Sequence, residues 1–223
     1  MAGLGFLATG TQPNSYTLVT REAVISFQSQ NNLDVDGKFG SQTKTALTTA
    51  IAKARKRVPE PMTGRAYCRL TRTFKTDADG LVKLLLEFVS PQGNILDWLD
   101  VISGAPGYQS FRVPEDPASF PGSLQPIPQA RYTIADIMWA GGKDNYVTEH
   151  AHPTNGIGPV FVPLIKTQND DRDAFGFHMD WNKSDSPGSA GCVCVNTLDD
   201  LKKLVALLRL YDPRDLFVNW GLS

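Results

Sequence analysis

Two cysteines stand two residues apart in "SAGCVCV", residues 189–195. Cys192 follows Gly191 in a turn of small residues, which would let a substrate carbonyl approach closely, with backbone N–H groups of Gly191 and Cys192 as oxyanion donors. A cysteine nucleophile needs a thiolate at working pH, and a nearby imidazole is the usual base. His178, earlier in the sequence, is the natural candidate. The pattern therefore predicts acyl-transfer chemistry at Cys192.

The base must be positioned by the segment "FGFHMDWN", residues 175–182, which alternates between large apolar residues and small or polar ones. This period of two predicts a strand with His178 and Asp180 on one polar face. Asp180 could orient the imidazole, although a backbone carbonyl or Ser189 could serve as well. The predicted catalytic residues are Cys192, His178, Ser189, Gly191 and Asp180.

The same residues also fit a purely structural interpretation. Free cysteine is among the most often buried residue types, so both cysteines can be small core residues and His178 an ordinary histidine. Cys194 has no glycine beside it, and packing is the role we expect for it. A disulfide between Cys192 and Cys194 would be strained at that separation, whereas Cys68 with Cys194 is conceivable in an oxidising compartment.

Zinc is the rival chemistry, since the cysteines, His150, His152 and His178 include enough ligand types for a site. However, no Cys-x-x-Cys pair is present, and no regular spacing links His150 and His152 to the other candidates. We therefore expect no metal and no other cofactor. The two loop histidines are expected to be exposed or to belong to a substrate lid.

The surrounding elements predict a mainly β C-terminal domain. "LVKLLLEFVS" and "ILDWLDVISG" flank the turn "PQGN" and predict a hairpin, with further strands in "ARYTIADIMW" and "GPVFVPLI". The Pro- and Gly-rich segment 104–129 is too long for a simple turn and predicts a loop wrapping over a site. Thr197 and Asp200 resemble a capping box at the start of one helix. Its buried stripe is expected to be Leu201, Leu204, Val205 and Leu208.

The first fifty residues predict two short helices around tight turns. "TREAV" and "TKTAL" each begin with a Thr that could cap a helix, Thr20 and Thr43, and the turn signals Asp36-Gly37 and Gly40 lie between them. A basic, proline-containing segment then predicts a linker and a domain boundary near residue 62. The fold class expected is α+β. A small helical module with its linker, residues 1–62, precedes a mainly β domain with a C-terminal helix, residues 63–223.

The composition excludes several classes of protein. The chain has 223 residues, 41% of them hydrophobic, and 22 basic against 23 acidic side chains. This balance gives no electrostatic case for a nucleic-acid or anionic-membrane partner. No apolar run approaches the roughly 20 residues needed to span a bilayer. The N-terminal "MAGLGFLATG" lacks a basic region and is a poor secretory signal. Three cysteines are too few for a disulfide scaffold.

"REAVISFQSQNNLDVDGKFGSQTKTAL", residues 21–47, resembles the peptidoglycan-binding module found beside many cell-wall enzymes. The hallmarks of that family are an A-V-x-x-F-Q helix, then L-x-V-D-G-x-x-G and T-x-x-A-L. The family module usually begins with one more helix, and "LGFL" at residues 4–7 resembles its last turn. The resemblance implies that peptidoglycan is a partner of this chain.

Residues 67–223 look like an L,D-transpeptidase catalytic domain, a β-rich sandwich with its active site under a loop. That family carries a His on a strand, then S-x-G-C-[IV]-R, and an Asp in the following helix. The corresponding residues here are His178, the segment 189–193 and Asp199. The resemblance implies that Cys192 is the acyl-accepting nucleophile and His178 its base, while Ser189 and Gly191 shape the turn and the oxyanion site.

Two positions depart from the family pattern. Cys194 stands where Arg is usual, and Met179 follows the histidine in place of Gly. The first change removes a positive charge that could hold a substrate carboxylate. The cations that could take its place are Arg112, Arg172 and Lys183.

Together the two resemblances predict a peptidoglycan-active cysteine enzyme that forms a thioester with a stem peptide. An amine acceptor would give transpeptidation, whereas water would give a carboxypeptidase or endopeptidase, as in an endolysin. A third hypothesis is a wall-binding protein that has lost its activity, which the missing Arg favours. The expected location is the cell wall, the periplasm or outside the cell, reached by export or by release at lysis.

Overall fold

The computed structural model describes residues 18–57, 64–140, 146, 156–167 and 171–222. The chain divides into two compact units, Met1–Glu60 and Pro61–Ser223. The predicted linker around residue 62 and the segment "LGFL" lie outside the described residues. The fold class is α+β, as predicted, with helices in the first unit and a large, nearly closed β-sheet with one helix in the second.

The described part of the first unit contains two helices, α1 (Leu18–Gln30) and α2 (Ser41–Arg57). The prediction that Thr20 and Thr43 cap them is wrong, because each lies inside its helix. Thr43 is buried instead, and its hydroxyl accepts a hydrogen bond from the side chain of Gln28 at 3.1 Å. The threonine of the T-x-x-A-L motif therefore ties the two helices together.

The second unit is built on one mixed sheet. Its strands run in the spatial order β3-β2-β1-β9-β4-β6-β7-β8, with β5 paired to β6. The β2–β3 hairpin is confirmed as antiparallel. The strand bounds are β1 (Tyr67–Thr76), β2 (Val82–Val89), β3 (Ile95–Val101), β4 (Arg131–Ile134), β5 (Met138–Trp139), β6 (Val160–Lys166), β7 (Phe175–Met179), β8 (Val193–Val195) and β9 (Asp215–Asn219).

The two ends of this sheet meet. Ile102, directly after β3, exchanges two backbone hydrogen bonds with Cys194 in β8, at 2.9 and 2.8 Å. The domain is mainly β, as predicted, and it forms a near-barrel from one curved sheet, whereas the family resemblance implied a sandwich. Closure satisfies backbone groups of β8 that an open edge strand would leave unpaired.

The C-terminal helix α3 (Leu198–Tyr211) follows the predicted pattern. The hydroxyl of Thr197 accepts the N–H of Asp200 at 3.1 Å, which satisfies one of the free donors of the first turn. The four predicted stripe residues are all buried, together with Leu207. Since α3 packs against β3, β7 and β8, it supports the strand that carries His178 and the strand that directly follows Cys192.

Residues 103–130 contain no helix or strand and connect β3 to β4. The loop folds back on itself through the N–H of Ala105, which donates to the carbonyl of Leu124. It also contacts the turn before β8, because the N–H of Ser189 donates to the carbonyl of Gly104 at 3.0 Å. The predicted wrapping loop therefore lies against the cysteine-containing turn.

Candidate functional site

The candidate site lies where β7 and β8 run side by side in parallel. Their register places His178 directly opposite Cys194. Cys192 comes immediately before β8, and the same register places it beside Gly176. Alternate residues of a strand share a face, so these two pairs lie on the same side of the sheet.

Cys192 is the one partly exposed thiol of the three, since Cys68 and Cys194 are fully buried. Its Sγ lies 3.7 Å from the carbonyl oxygen of Ala174. Burial raises the pKa of the Cys192 thiol to about 11, while the N–H of Gly176 and the charge of Arg172 act in the opposite direction. The thiol is therefore reachable but predominantly protonated at neutral pH.

His178 is buried. Its Nδ1 lies 2.7 Å from the carbonyl oxygen of Met179, and Sγ of Cys194 contacts the ring at 3.4 Å from Nε2 and 3.8 Å from Nδ1. Burial lowers the pKa of His178, although hydrogen bonds to the carbonyls of Met179 and Gly156 partly offset this. Among these described side chains, no hydrogen bond joins His178 to Cys192. The structure thus brings the predicted base to the other cysteine.

Asp180 is not the group that orients the imidazole in this structure. Its Oδ2 accepts the N–H of Gly188 at 2.7 Å, and its buried Oδ1 has no hydrogen-bond partner. Burial raises the pKa of Asp180. The carbonyl of Met179 occupies the orienting place beside Nδ1 of His178, which is the backbone alternative that the sequence had left open.

Ser189 and Gly191 form the turn before Cys192. The hydroxyl of Ser189 donates to the carbonyl of Cys192 at 2.7 Å and accepts the N–H groups of Gly104 and Gly191, both at 3.2 Å. Gly191 has a φ of +123°, and a Cβ there would collide with Arg172 and Phe175. Only glycine fits this position without strain. The Gly191 N–H, one expected oxyanion donor, is engaged by Ser189.

Arg172 is a buried residue of the site whose function the sequence did not indicate beyond its charge. Its guanidinium donates to the carbonyl oxygens of Gln125 at 2.7 Å, Pro126 at 3.0 Å and Ala190 at 3.1 Å. It also lies over the ring of Phe175, 5.1 Å from the centroid. Arg172 therefore connects the wrapping loop to the turn that carries Cys192.

The other two cations considered for a substrate carboxylate take part in ion pairs. Arg112 contacts Asp116 at 2.7 Å. Lys183 lies 3.2 Å from Asp79 and 3.6 Å from Asp77. Neither cation is thus an uncommitted charge beside Cys192.

All three cysteines are free thiols, so the conceivable Cys68–Cys194 disulfide is not formed. Cys68 lies on β1, opposite Phe88 on β2 and Leu216 on β9. The described residues contain no group of three side chains able to hold a metal ion. His150 and His152 lie outside the described residues, and the prediction that they bind no metal stays a prediction.

The first unit is organised by one buried amide. Nε2 of Gln28 donates to Oδ1 of Asp36 at 2.8 Å and to the carbonyl of Lys38 at 3.0 Å, and Oε1 accepts the N–H of Gly37 at 2.9 Å. The N–H of Lys38 and the Gln28 amide hold the pKa of Asp36 below its ordinary value. The glutamine of A-V-x-x-F-Q therefore fixes the V-D-G turn.

These contacts join the motifs of the first unit into one structure. A known protein family matches the same part of the chain. Residues 2–47 match a family described as a putative peptidoglycan binding domain. The matched range includes α1 and reaches into α2, and it begins before the motif residues from which the resemblance was drawn. No curated protein and no solved structure matches the chain.

The chain thus carries a peptidoglycan-binding domain at its N terminus, as the motifs predicted. Peptidoglycan is accordingly the partner indicated for it, and a cell-wall-associated or extracellular location follows. Among the described helices, none is both long and apolar enough to cross a membrane.

Proposed function

We propose that this protein binds peptidoglycan through its N-terminal domain and acts on the stem peptide through Cys192. The observation that carries the proposal is the difference between the two neighbouring thiols. Cys194 is fully buried, whereas Cys192 is partly exposed at the end of a glycine turn. A nucleophile must reach its substrate, and Cys192 is the thiol of this chain that can.

In the proposed reaction the thiolate of Cys192 attacks a stem-peptide carbonyl carbon. The carbon–nitrogen bond breaks, the amine leaves with a proton, and a thioester remains on Sγ. His178 accepts the thiol proton and returns it to the departing amine. An incoming amine then gives a cross-link, while water gives a shortened stem. L,D-transpeptidase-like transfer is the reaction we propose, with endolysin-type hydrolysis as its alternative.

A wall-binding protein without catalysis is the second candidate. The observation that favours it is the pairing of His178 with Cys194 across β7 and β8. Without a base at hand, the raised pKa of Cys192 leaves little thiolate at neutral pH.

Mass spectrometry of purified muropeptides incubated with the full chain separates these candidates. For the wild type we expect cross-linked dimers if an amine resolves the thioester and shortened stems if water does. Cys192→Ala should lose at least about a hundredfold of product, since the nucleophile is gone. Cys68→Ala, which removes a thiol remote from β7 and β8, is the matched control and should keep the wild-type rate. Muropeptides left unchanged by the wild type would favour the wall-binding candidate.

A further inference from the structure

The loop between α1 and α2, residues 31–40, exposes two apolar side chains. Val35 is 54% exposed and Phe39 is 43% exposed, and both lie within the stretch that matches the peptidoglycan-binding family. A single exposed apolar side chain is ordinary on a protein surface and indicates nothing by itself. These two, however, come two residues before and two residues after the same buried position, Gly37. Their common support makes the loop a candidate binding surface.

Buried contacts hold the centre of this loop in place. Oε1 of Gln28 accepts the N–H of Gly37 at 2.9 Å, and Nε2 of Gln28 donates to the carbonyl of Lys38 at 3.0 Å. A Cβ at Gly37 would lie 3.0 Å from Nε of Arg21, so the turn packs closely on α1. The backbone beside both apolar side chains is therefore fixed within the unit itself. A ligand that binds here does not have to order the loop, which removes an entropic cost of binding.

The chemistry of the loop suits a sugar chain better than a charged peptide. A sugar ring has an apolar C–H face, which an aromatic ring and a branched aliphatic side chain can cover. The exposed carboxylate of Asp34, next to Val35, can accept hydrogen bonds from sugar hydroxyls. Residues 34–39 carry two carboxylates and one ammonium group. They therefore offer no excess of positive charge to the carboxylates of stem peptides.

We propose that residues 35–39 are the surface through which the N-terminal domain contacts peptidoglycan, and that the Phe39 ring packs against sugar rings of the glycan strand. Val35 adds apolar contact on the other side of Gly37 in the chain. The inference rests on the proposed binding of peptidoglycan by this domain and names the polysaccharide as its ligand. The chemistry proposed at Cys192 has no part in it.

The test is co-sedimentation of the full chain with purified sacculi, titrated to give an affinity. Phe39→Ala should weaken binding on the order of tenfold, because an aromatic contact is lost. Phe39→Tyr keeps the ring and should bind like the wild type. Val35→Ala removes a smaller apolar side chain and should weaken binding by about threefold. The matched controls are Leu18→Ala, at a 78% exposed position of α1, and Phe74→Ala, at a 39% exposed phenylalanine of β1. Both should bind like the wild type.

Two further measurements separate a lost contact from a lost fold and the glycan from the stem peptide. Hydrogen exchange of the peptide covering residues 21–30 should be the same in Phe39→Ala and the wild type, because an exposed side chain is removed. Soluble oligomers of N-acetylglucosamine should displace the wild type from sacculi, whereas free stem pentapeptide should not. Displacement by the pentapeptide alone would overturn the assignment of the glycan.

The outcomes also separate the inference from the proposed function. A wild type that does not sediment with sacculi would refute peptidoglycan binding itself, and the inference with it. A wild type that binds while Phe39→Ala binds equally well would overturn the inference alone. So would an equal loss of binding in Leu18→Ala, because the effect would then not be specific to residues 35–39.

Discussion

At the scale of single residues, the candidate site depends on the close approach of the Gly191 backbone to neighbouring side chains. Gly191 has a positive φ and no room for a Cβ beside Arg172 and Phe175. The hydroxyl of Ser189 holds the same turn through three backbone groups. These contacts fix the position of Cys192 relative to β7. The small residues of this segment are thus required by geometry.

Replacing Gly191 by alanine should destabilise the second unit by about 2–4 kcal/mol, because a strained φ and a steric overlap add up. Gly93→Ala is the matched control, since Gly93 also has a positive φ, of +85°, but open space around its Cα. It should cost only about 1 kcal/mol. Urea unfolding followed by tryptophan fluorescence measures both, as all four tryptophans lie in the second unit. Equal losses for the two variants would contradict the steric argument.

At the scale of elements, the helices of the first unit depend on the Gln28 side chain. Gln28 is 2% exposed and serves the turn that connects α1 to α2. The element-level prediction therefore concerns one buried amide rather than helix propensity.

Gln28→Ala should destabilise the N-terminal unit by about 2–3 kcal/mol, because it removes the buried amide that bonds to Asp36, Gly37 and Lys38. Hydrogen exchange of the peptide covering residues 36–43 in the full chain measures this, and exchange should be faster by on the order of thirtyfold or more. Binding to purified sacculi should fall in parallel. Gln30→Ala changes an exposed glutamine of α1 and should behave like the wild type. Indistinguishable exchange in the two variants would refute the proposed role of Gln28.

At the scale of the whole molecule, the stability of the near-barrel is linked to pH through its thiols. Burial raises the pKa of Cys68 and Cys194 above the ordinary 9.0, and that of Cys192 to about 11. Between pH 9 and 11 the unfolded chain releases thiol protons that the folded chain keeps. Since the folded state then binds more protons, its stability must fall as pH rises.

We therefore expect the free energy of unfolding of the second unit to decrease above pH 9, by up to about 1.4 kcal/mol per pH unit for each fully buried thiol. Cys68→Ala should weaken this dependence by one thiol's share. Val89→Ala, a buried change without a titratable group, should lower stability at every pH and leave the slope unchanged. Urea unfolding by tryptophan fluorescence at pH 8, 9 and 10 measures the slopes. Equal slopes for the two variants would rule out the thiol contribution.

Much of the architecture could be predicted because its causes are local. Alternation along a strand, the Thr197 cap and the apolar stripe of α3 depend on residues near one another in sequence. The motif spacing of residues 22–47 was enough to identify the peptidoglycan-binding domain, because this spacing is determined by the compact turn between two helices. The prediction that Thr20 and Thr43 are N-caps was wrong because threonine also fits a helix interior. For Thr43, the hydrogen bond from the buried Gln28 side chain favours the interior position.

The sequence by itself determined the two-unit organisation of motifs, the α+β class and the candidate residues Cys192 and His178. Only the tertiary structure decided which thiol meets the histidine. That pairing depends on the parallel register of β7 and β8, set by closure of the sheet through Ile102 and by the packing of α3. Such contacts join residues far apart in the chain. A local sequence pattern cannot predict a strand register that is established by long-range hydrogen bonds and packing.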